Sequence, residues 1–284
     1  MQKQPATNDS AENDGMNHPP RMLDTQSCLR HIPPHVEARD KVILDGLRYS
    51  LEIADAAHRR LRETLWQISS GKDDDPVDEY VGAVADAWSI VDSLNRLQTL
   101  CKSRSPYLGG DFCTKYAESV SPVVKLRNAV QHLHARFDKS VADKEPVWGV
   151  LSWMICVGNP PSRFSLCAFA PGALRTGDVQ MTDIPKRQFR QPVDAITLTA
   201  DKTPISLSDL MLQTAEFAGT LDGELRSTFP VNGPSARDLY ARVDGSFTGK
   251  DEPAPTVVFS IKHDVPTSPQ ERKLNRAERR KRRP

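Results

Sequence analysis

The sequence predicts a mainly α-helical protein, an antiparallel helical bundle with a small antiparallel β insertion. Two observations predict the helices: apolar residues recur three and four positions apart over long stretches, and these stretches are free of proline. A third observation predicts the insertion. After Pro146 the pattern changes to short β-favouring runs, and helical spacing returns only at Ser206. The insertion is therefore expected between the third and the last long helix.

The first helix is predicted to begin near Val36. Its apolar stripe contains one polar residue, His58, which we expect to be a core or boundary histidine rather than a metal ligand. The stripe could support a dimer as well as a monomer. It consists of Leu44, Leu47, Leu51, Ala54, His58, Leu61, Leu65 and Ile68.

A second helix is predicted after a turn at Gly71. The aspartates at 73–75 suit a helix N-terminus, where the helix dipole favours negative charge. The length of this helix predicts antiparallel pairing with the first, and Trp88 is expected in the core. Its positions at helical spacing are Tyr80, Val84, Ala87, Trp88, Val91, Leu94, Gln98 and Cys101.

The third helix is predicted from Pro122 to Val141. A connector with two glycines leads into it through the segment Phe112–Ser119. Ser121 can cap the first amides, and Pro122 suits the first turn. One face must pack against other helices, because it carries the stripe Val123, Leu126, Val130, Leu133, Phe137 and Val141.

The β insertion is predicted to begin with a hairpin. Its strands are Trp148–Val157 and Arg163–Ala170, and the intervening Gly158-Asn159-Pro160-Pro161 is typical of a turn. Further short strands are predicted at Val179–Ile184 and Ile196–Ala200. A last helix, opened by a Ser206 cap, is expected to pack back onto the first three.

These elements predict one helical domain, residues 36–228, with the β insertion at about 147–200. A separate α+β domain beginning near Pro146 is the alternative. The flanking segments are predicted to be a disordered N-terminal segment at 1–35, an irregular segment at 229–265 with one strand at Thr256–Lys262, and a basic disordered tail at 266–284.

Composition narrows the function classes. The net charge of +1 argues against a surface that is basic throughout, so nucleic-acid binding must depend on local patches. The five cysteines have no close spacing, which favours reduced thiols in a cytoplasmic protein over disulfides or a zinc site. No apolar run reaches membrane-spanning length, so no membrane partner is expected. Phosphate-binding glycine loops and nucleophile elbows are also missing from the sequence.

The third helix carries the candidate site residues Arg127, Asn128 and His132. Histidine exchanges protons near neutral pH, and arginine offers a charged planar fork to phosphate oxygens. RNA supplies its own nucleophile, the 2′-hydroxyl, so these groups suit RNA cleavage. Arg30 and His35 have the same spacing, but the prolines between them exclude a shared helix. Helical context and Asn128 therefore distinguish the candidate.

At Arg127-Asn128-Ala129-Val130-Gln131-His132 the chain resembles the HEPN superfamily, whose nucleases carry Arg, a polar residue, three more residues and His. The resemblance implies a metal-independent endoribonuclease without a cofactor, and a site shared across a homodimer. It implies that Arg127 and His132 are the catalytic pair and that Asn128 supports them. Some members, especially toxins paired with antitoxins, have Tyr where this chain has His134, which we regard as an accessory residue.

Two other interpretations remain open. A HEPN-like domain can be a non-catalytic adaptor that binds nucleic acid or protein, and the polar residues can simply fix helix packing. In the nuclease and adaptor interpretations the basic tail attracts RNA through phosphate contacts. The tail residues expected to do so are Arg279, Arg280, Lys281, Arg282 and Arg283.

Overall fold

The computed structural model describes residues 20–71, 76–131, 134, 138, 141–142, 146–157, 163–172 and 192–229. All of them belong to the first of two compact units, residues 1–238, and the second unit, 239–284, lies outside the described residues. The basic tail and the strands predicted at Val179–Ile184 and Thr256–Lys262 also lie outside them. The prediction of a mainly helical chain with a small antiparallel sheet is confirmed. The elements are α1 (Ala38–Ser70), α2 (Val77–Cys101), α3 (Asp111–Ser119), α4 (Ser121–Gln131), β1 (Val150–Val157), β2 (Arg163–Phe169), β3 (Val193–Ala200), β4 (Thr203–Ser206) and α5 (Leu207–Thr228).

The helices α1 and α2 pair along their length as the centre of the fold. Gly46 near the start of α1 lies against Leu100 near the end of α2, and Arg60 meets Asp86 further along. The two helices therefore run antiparallel, as predicted. Their apolar stripes are buried in one core cluster, and the largest fully buried side chains from the pair are Leu44, Leu47, Leu51, Leu61, Leu65, Ile90, Leu94 and Leu97.

Two shorter helices, α3 and α4, follow α2. The α3 segment, predicted as part of a connector, forms nine residues of helix. The buried Gln98 side chain of α2 fixes α3 by donating from Nε2 to the Ala117 carbonyl oxygen at 2.7 Å. Val123 and Leu126 of α4 are buried, as the predicted stripe requires. The described part of this helix ends at Gln131.

The sheet has the strand order β2-β1-β3-β4, and every neighbouring pair is antiparallel. The predicted hairpin is confirmed as β1 and β2, and β3 extends the predicted strand at Ile196–Ala200. The fourth strand was not predicted. It follows a two-residue turn in which Asp201 and Lys202 both have positive φ, the geometry that a tight antiparallel hairpin requires.

The N-terminal residues 20–35 correct the prediction of disorder for 1–35. Leu23, Leu29 and Ile32 are buried in the core cluster. The Asp222 carboxylate of α5 accepts hydrogen bonds from the Cys28 amide at 2.6 Å and the Ser27 hydroxyl at 2.8 Å. Composition could not show this order, because it depends on contacts with a helix almost 200 residues later in the chain. Residues 1–19 lie outside the described part.

His58 is a boundary residue whose ring is only partly accessible. Its Nε2 atom is buried and has no hydrogen-bond partner among the described residues. Burial, and secondarily the nearby charge of Arg62, lowers the pKa of His58 from about 6.5 to about 4, although Asp194 acts in the opposite direction. Protonation of this ring therefore opposes folding.

We expect His58 to make stability fall with acidity. Above pH 6.5 the ring is neutral in both states and its contribution is fully present; as the pH falls toward 4, the unfolded chain binds a proton that the folded chain does not. The free energy of unfolding should fall by about 1 kcal/mol per pH unit in this window. Urea unfolding of wild type and His58→Gln at several pH values between about 6.5 and about 4 measures the difference. Parallel pH profiles would contradict the prediction.

Candidate functional site

The candidate residues Arg127 and Asn128 lie near the end of α4. Because Val123 and Leu126 face the core, the two polar residues that follow Leu126 are directed toward its edge and the solvent. Arg127 is half-buried, with 29% of its side chain exposed, and Asn128 is exposed. The exposure of Asn128 argues against a role in packing alone.

Arg127 forms an ion pair with Asp92 of α2. Its Nε atom donates to the Asp92 Oδ1 atom at 2.9 Å, and 48% of the Asp92 side chain is exposed. This side-on contact uses one edge of the guanidinium. Within the described residues no other group pairs with the two terminal nitrogens of Arg127, and both are donors of the kind that bind oxyanions. Asp92 also places a negative charge beside the arginine.

Most of the remaining predicted site residues lie outside the part of the chain that the structure describes. His132 lies outside the described residues, and so do the five basic residues of the tail. His134 is described and exposed. The structure thus places Arg127 and Asn128 side by side and leaves the histidine geometry a prediction.

A second surface feature, which we call the aromatic groove, lies between one face of α2 and the segments beside the sheet. It has a volume of about 540 Å³. Its lining residues are apolar or aromatic: Val77, Tyr80, Val81, Val84, Ala85 and Trp88 from α2, and Trp148, Phe169, Pro171 and Gly172 from the other wall.

Contacts between the two walls define the shape of the groove. Tyr80 and Phe169 stack with ring centroids 4.2 Å apart and planes 7° from parallel. The Trp88 Nε1 atom donates to the Trp148 carbonyl oxygen at 3.2 Å. Trp88 packs against the core as predicted, but it also lines the groove. These contacts join α2 to β2 and to the residues just before β1.

Sequence reasoning missed both Asp92 and the groove. No local pattern identifies Asp92, because its role arises from the packing of α4 beside α2. A signal for the groove was present: Val77, Val81 and Ala85 recur every four residues outside the buried stripe of α2. They make α2 apolar over a wider arc than its core contacts need.

Other site classes receive little support from the described residues. All five cysteines are free thiols. The Cys101 thiol donates a hydrogen bond to the Cys113 sulfur, which raises the pKa of Cys101 and lowers that of Cys113. Within the described ranges, no three His, Cys, Asp or Glu side chains converge as metal ligands could. No helix in this part of the chain combines the length and apolar character needed to cross a membrane.

Comparison with protein-family models, with curated proteins and with solved structures yields no match for this chain. The HEPN resemblance therefore depends on the Arg127 to His132 motif and its helical setting.

We expect the Arg127–Asp92 ion pair to contribute little to stability. Both side chains are partly exposed, and such pairs typically contribute about 0.2–1 kcal/mol. A double-mutant cycle with Arg127→Ala, Asp92→Ala and the double variant, measured by urea unfolding, gives the coupling energy. A coupling of about 3 kcal/mol or more would instead indicate a structural pair of the buried type.

Proposed function

We propose that the protein is a metal-independent endoribonuclease of HEPN type that acts at a homodimer interface. The observation that best supports this function is the state of Arg127, which is accessible to solvent while Asp92 restricts its orientation. A phosphate-binding arginine needs both properties, because an oriented fork loses less freedom on binding. Asn128, exposed at the next position, can add a hydrogen bond to the same ligand.

In the proposed reaction the 2′-oxygen of a ribose attacks the adjacent phosphorus and the bond to the 5′-oxygen breaks. His132 of one protomer accepts the 2′-hydroxyl proton, and His132 of the other donates a proton to the leaving 5′-oxygen. The Arg127 fork stabilises the charge that develops on the phosphoryl oxygens. The products are a 2′,3′-cyclic phosphate and a 5′-hydroxyl.

We expect the purified protein to cleave RNA in the presence of EDTA, and we expect Arg127→Ala and His132→Ala each to reduce the rate by about a hundredfold or more. Gel analysis of labelled RNA measures the rate, and treatment of the products with acid reveals the cyclic phosphate. Arg96→Ala and His35→Ala are matched controls: both residues are exposed and lie outside the motif.

Only folded variants with the oligomeric state of the wild type are informative in this assay. Cleavage that persists in both motif variants would come from a contaminant or from another site. In both cases the persistent cleavage would show that Arg127 and His132 are not the catalytic residues.

A second candidate function is that of a non-catalytic nucleic-acid-binding or protein-interaction adaptor. The Asp92 carboxylate favours an adaptor that does not bind phosphate at Arg127, because its charge next to Arg127 opposes the approach of phosphate. Intact RNA across several substrates, together with binding that depends on the tail, would support it.

In either case the basic tail should determine the salt dependence of RNA binding. Replacing Arg279, Arg280, Lys281, Arg282 and Arg283 with serine should weaken binding at low salt, and the slope of log affinity against log salt should become shallower by about 0.7 for each phosphate that the tail no longer neutralises. Fluorescence anisotropy with single-stranded RNA measures both effects. An unchanged slope would show that the tail does not contact phosphate.

A further inference from the structure

The aromatic groove contains large apolar side chains that are exposed to solvent instead of being packed in the core. At its rim, 65% of Val81 and 47% of Trp148 are accessible to solvent, and Val77 is also exposed. None of the described lining residues is charged. Exposed apolar side chains gathered around one concave surface make the groove a candidate binding surface.

The rim favours a macromolecule over a small ligand. A small-molecule pocket usually encloses most of its ligand, whereas here large apolar side chains of the wall point into solvent around the opening. A partner that extends beyond the cavity would cover Val81 and Trp148 at the rim as well as the residues inside the groove. An element of a partner protein meets this requirement.

The shape of the groove suits a helix. One wall is a single face of α2, and from Val77 to Trp88 this face rises about 16 Å, or three helical turns. A partner helix of similar length can place apolar anchors along such a groove at spacings of three, four and seven residues.

The charged residues near the groove indicate the sign of the partner's charge. Asp78 and Glu79 lie in the first turn of α2, at one end of the groove, and Asp78 is exposed. A partner with Lys or Arg beside its apolar anchors would meet complementary charge there, and an acidic partner would be repelled.

We propose that the aromatic groove binds an amphipathic helix of a partner protein that carries basic residues beside its apolar anchors. The groove is separate from the Arg127–Asp92 pair in its residues and chemistry, so the proposal holds whether or not the chain cleaves RNA.

The test uses the full chain and a fluorescein-labelled amphipathic helix of leucine and lysine, about 14 residues long, as the probe. Fluorescence anisotropy should show saturable binding. Val81→Glu should weaken it about tenfold or more, because it places a charge among the apolar anchors. Val42→Glu is the matched control; Val42 is 72% exposed on α1 and does not line the groove. It should bind like the wild type.

Charge is tested with Asp78→Lys, which should weaken binding about threefold at low salt and less at high salt. Trp148→Ala provides a second groove variant if Val81→Glu alters the circular dichroism spectrum. Three comparison peptides define the ligand class: a scrambled leucine-lysine peptide, a leucine-glutamate helix and a basic proline-rich peptide. Each should bind at least about tenfold more weakly than the probe.

Several results would overturn the proposal. These are no saturable binding, equal weakening by Val42→Glu and Val81→Glu, or equal or tighter binding of any comparison peptide. Sedimentation of the protein without peptide tests whether a second copy of this chain occupies the groove. A dimer that Val81→Glu dissociates would assign the groove to that second copy.

Discussion

The antiparallel pairing of α1 and α2 is the constraint on which the rest of the described unit depends. Each buried leucine or isoleucine along this contact contributes roughly 1.5–3 kcal/mol of transfer free energy, and the pair supplies most of the largest fully buried side chains. Two helices can bury only one stripe each against one another. Their remaining apolar surface determines where the other elements pack.

The two helices are covered unequally. Around α1 pack α5, the inner face of the sheet through β1 and β3, and the N-terminal turn at Cys28–Arg30. Around α2 the described contacts are with α3 and α4 along its later part, while its first three turns meet the sheet side mainly through Tyr80 and Trp88. This difference leaves Val77 and Val81 exposed. The groove therefore results from the incomplete covering of α2.

The periodic parts of the fold could be predicted from sequence, and the parts that depend on distant contacts could not. The long helices were evident because leucines repeat at helical spacing without proline. The hairpin was evident because the sequence Gly-Asn-Pro-Pro, which is typical of turns, separates two β-favouring runs. The segment at 20–35 was missed because Asp222 orders it from far along the chain. The helix α3 was missed because nine residues after two glycines give too short a periodic signal.

The candidate site shows the same division. Arg127 and Asn128 could be selected because a helix presents them beside a core stripe, but the partner of Arg127 comes from another helix and no sequence motif includes it. Asp92 lies four residues after Trp88, on the face of α2 that also carries Val81 and Ala85. One face of α2 thus provides one wall of the groove in its first three turns and the carboxylate that contacts Arg127 one turn later. A change in the position of α2 would therefore alter both surfaces, because both include residues of this one face.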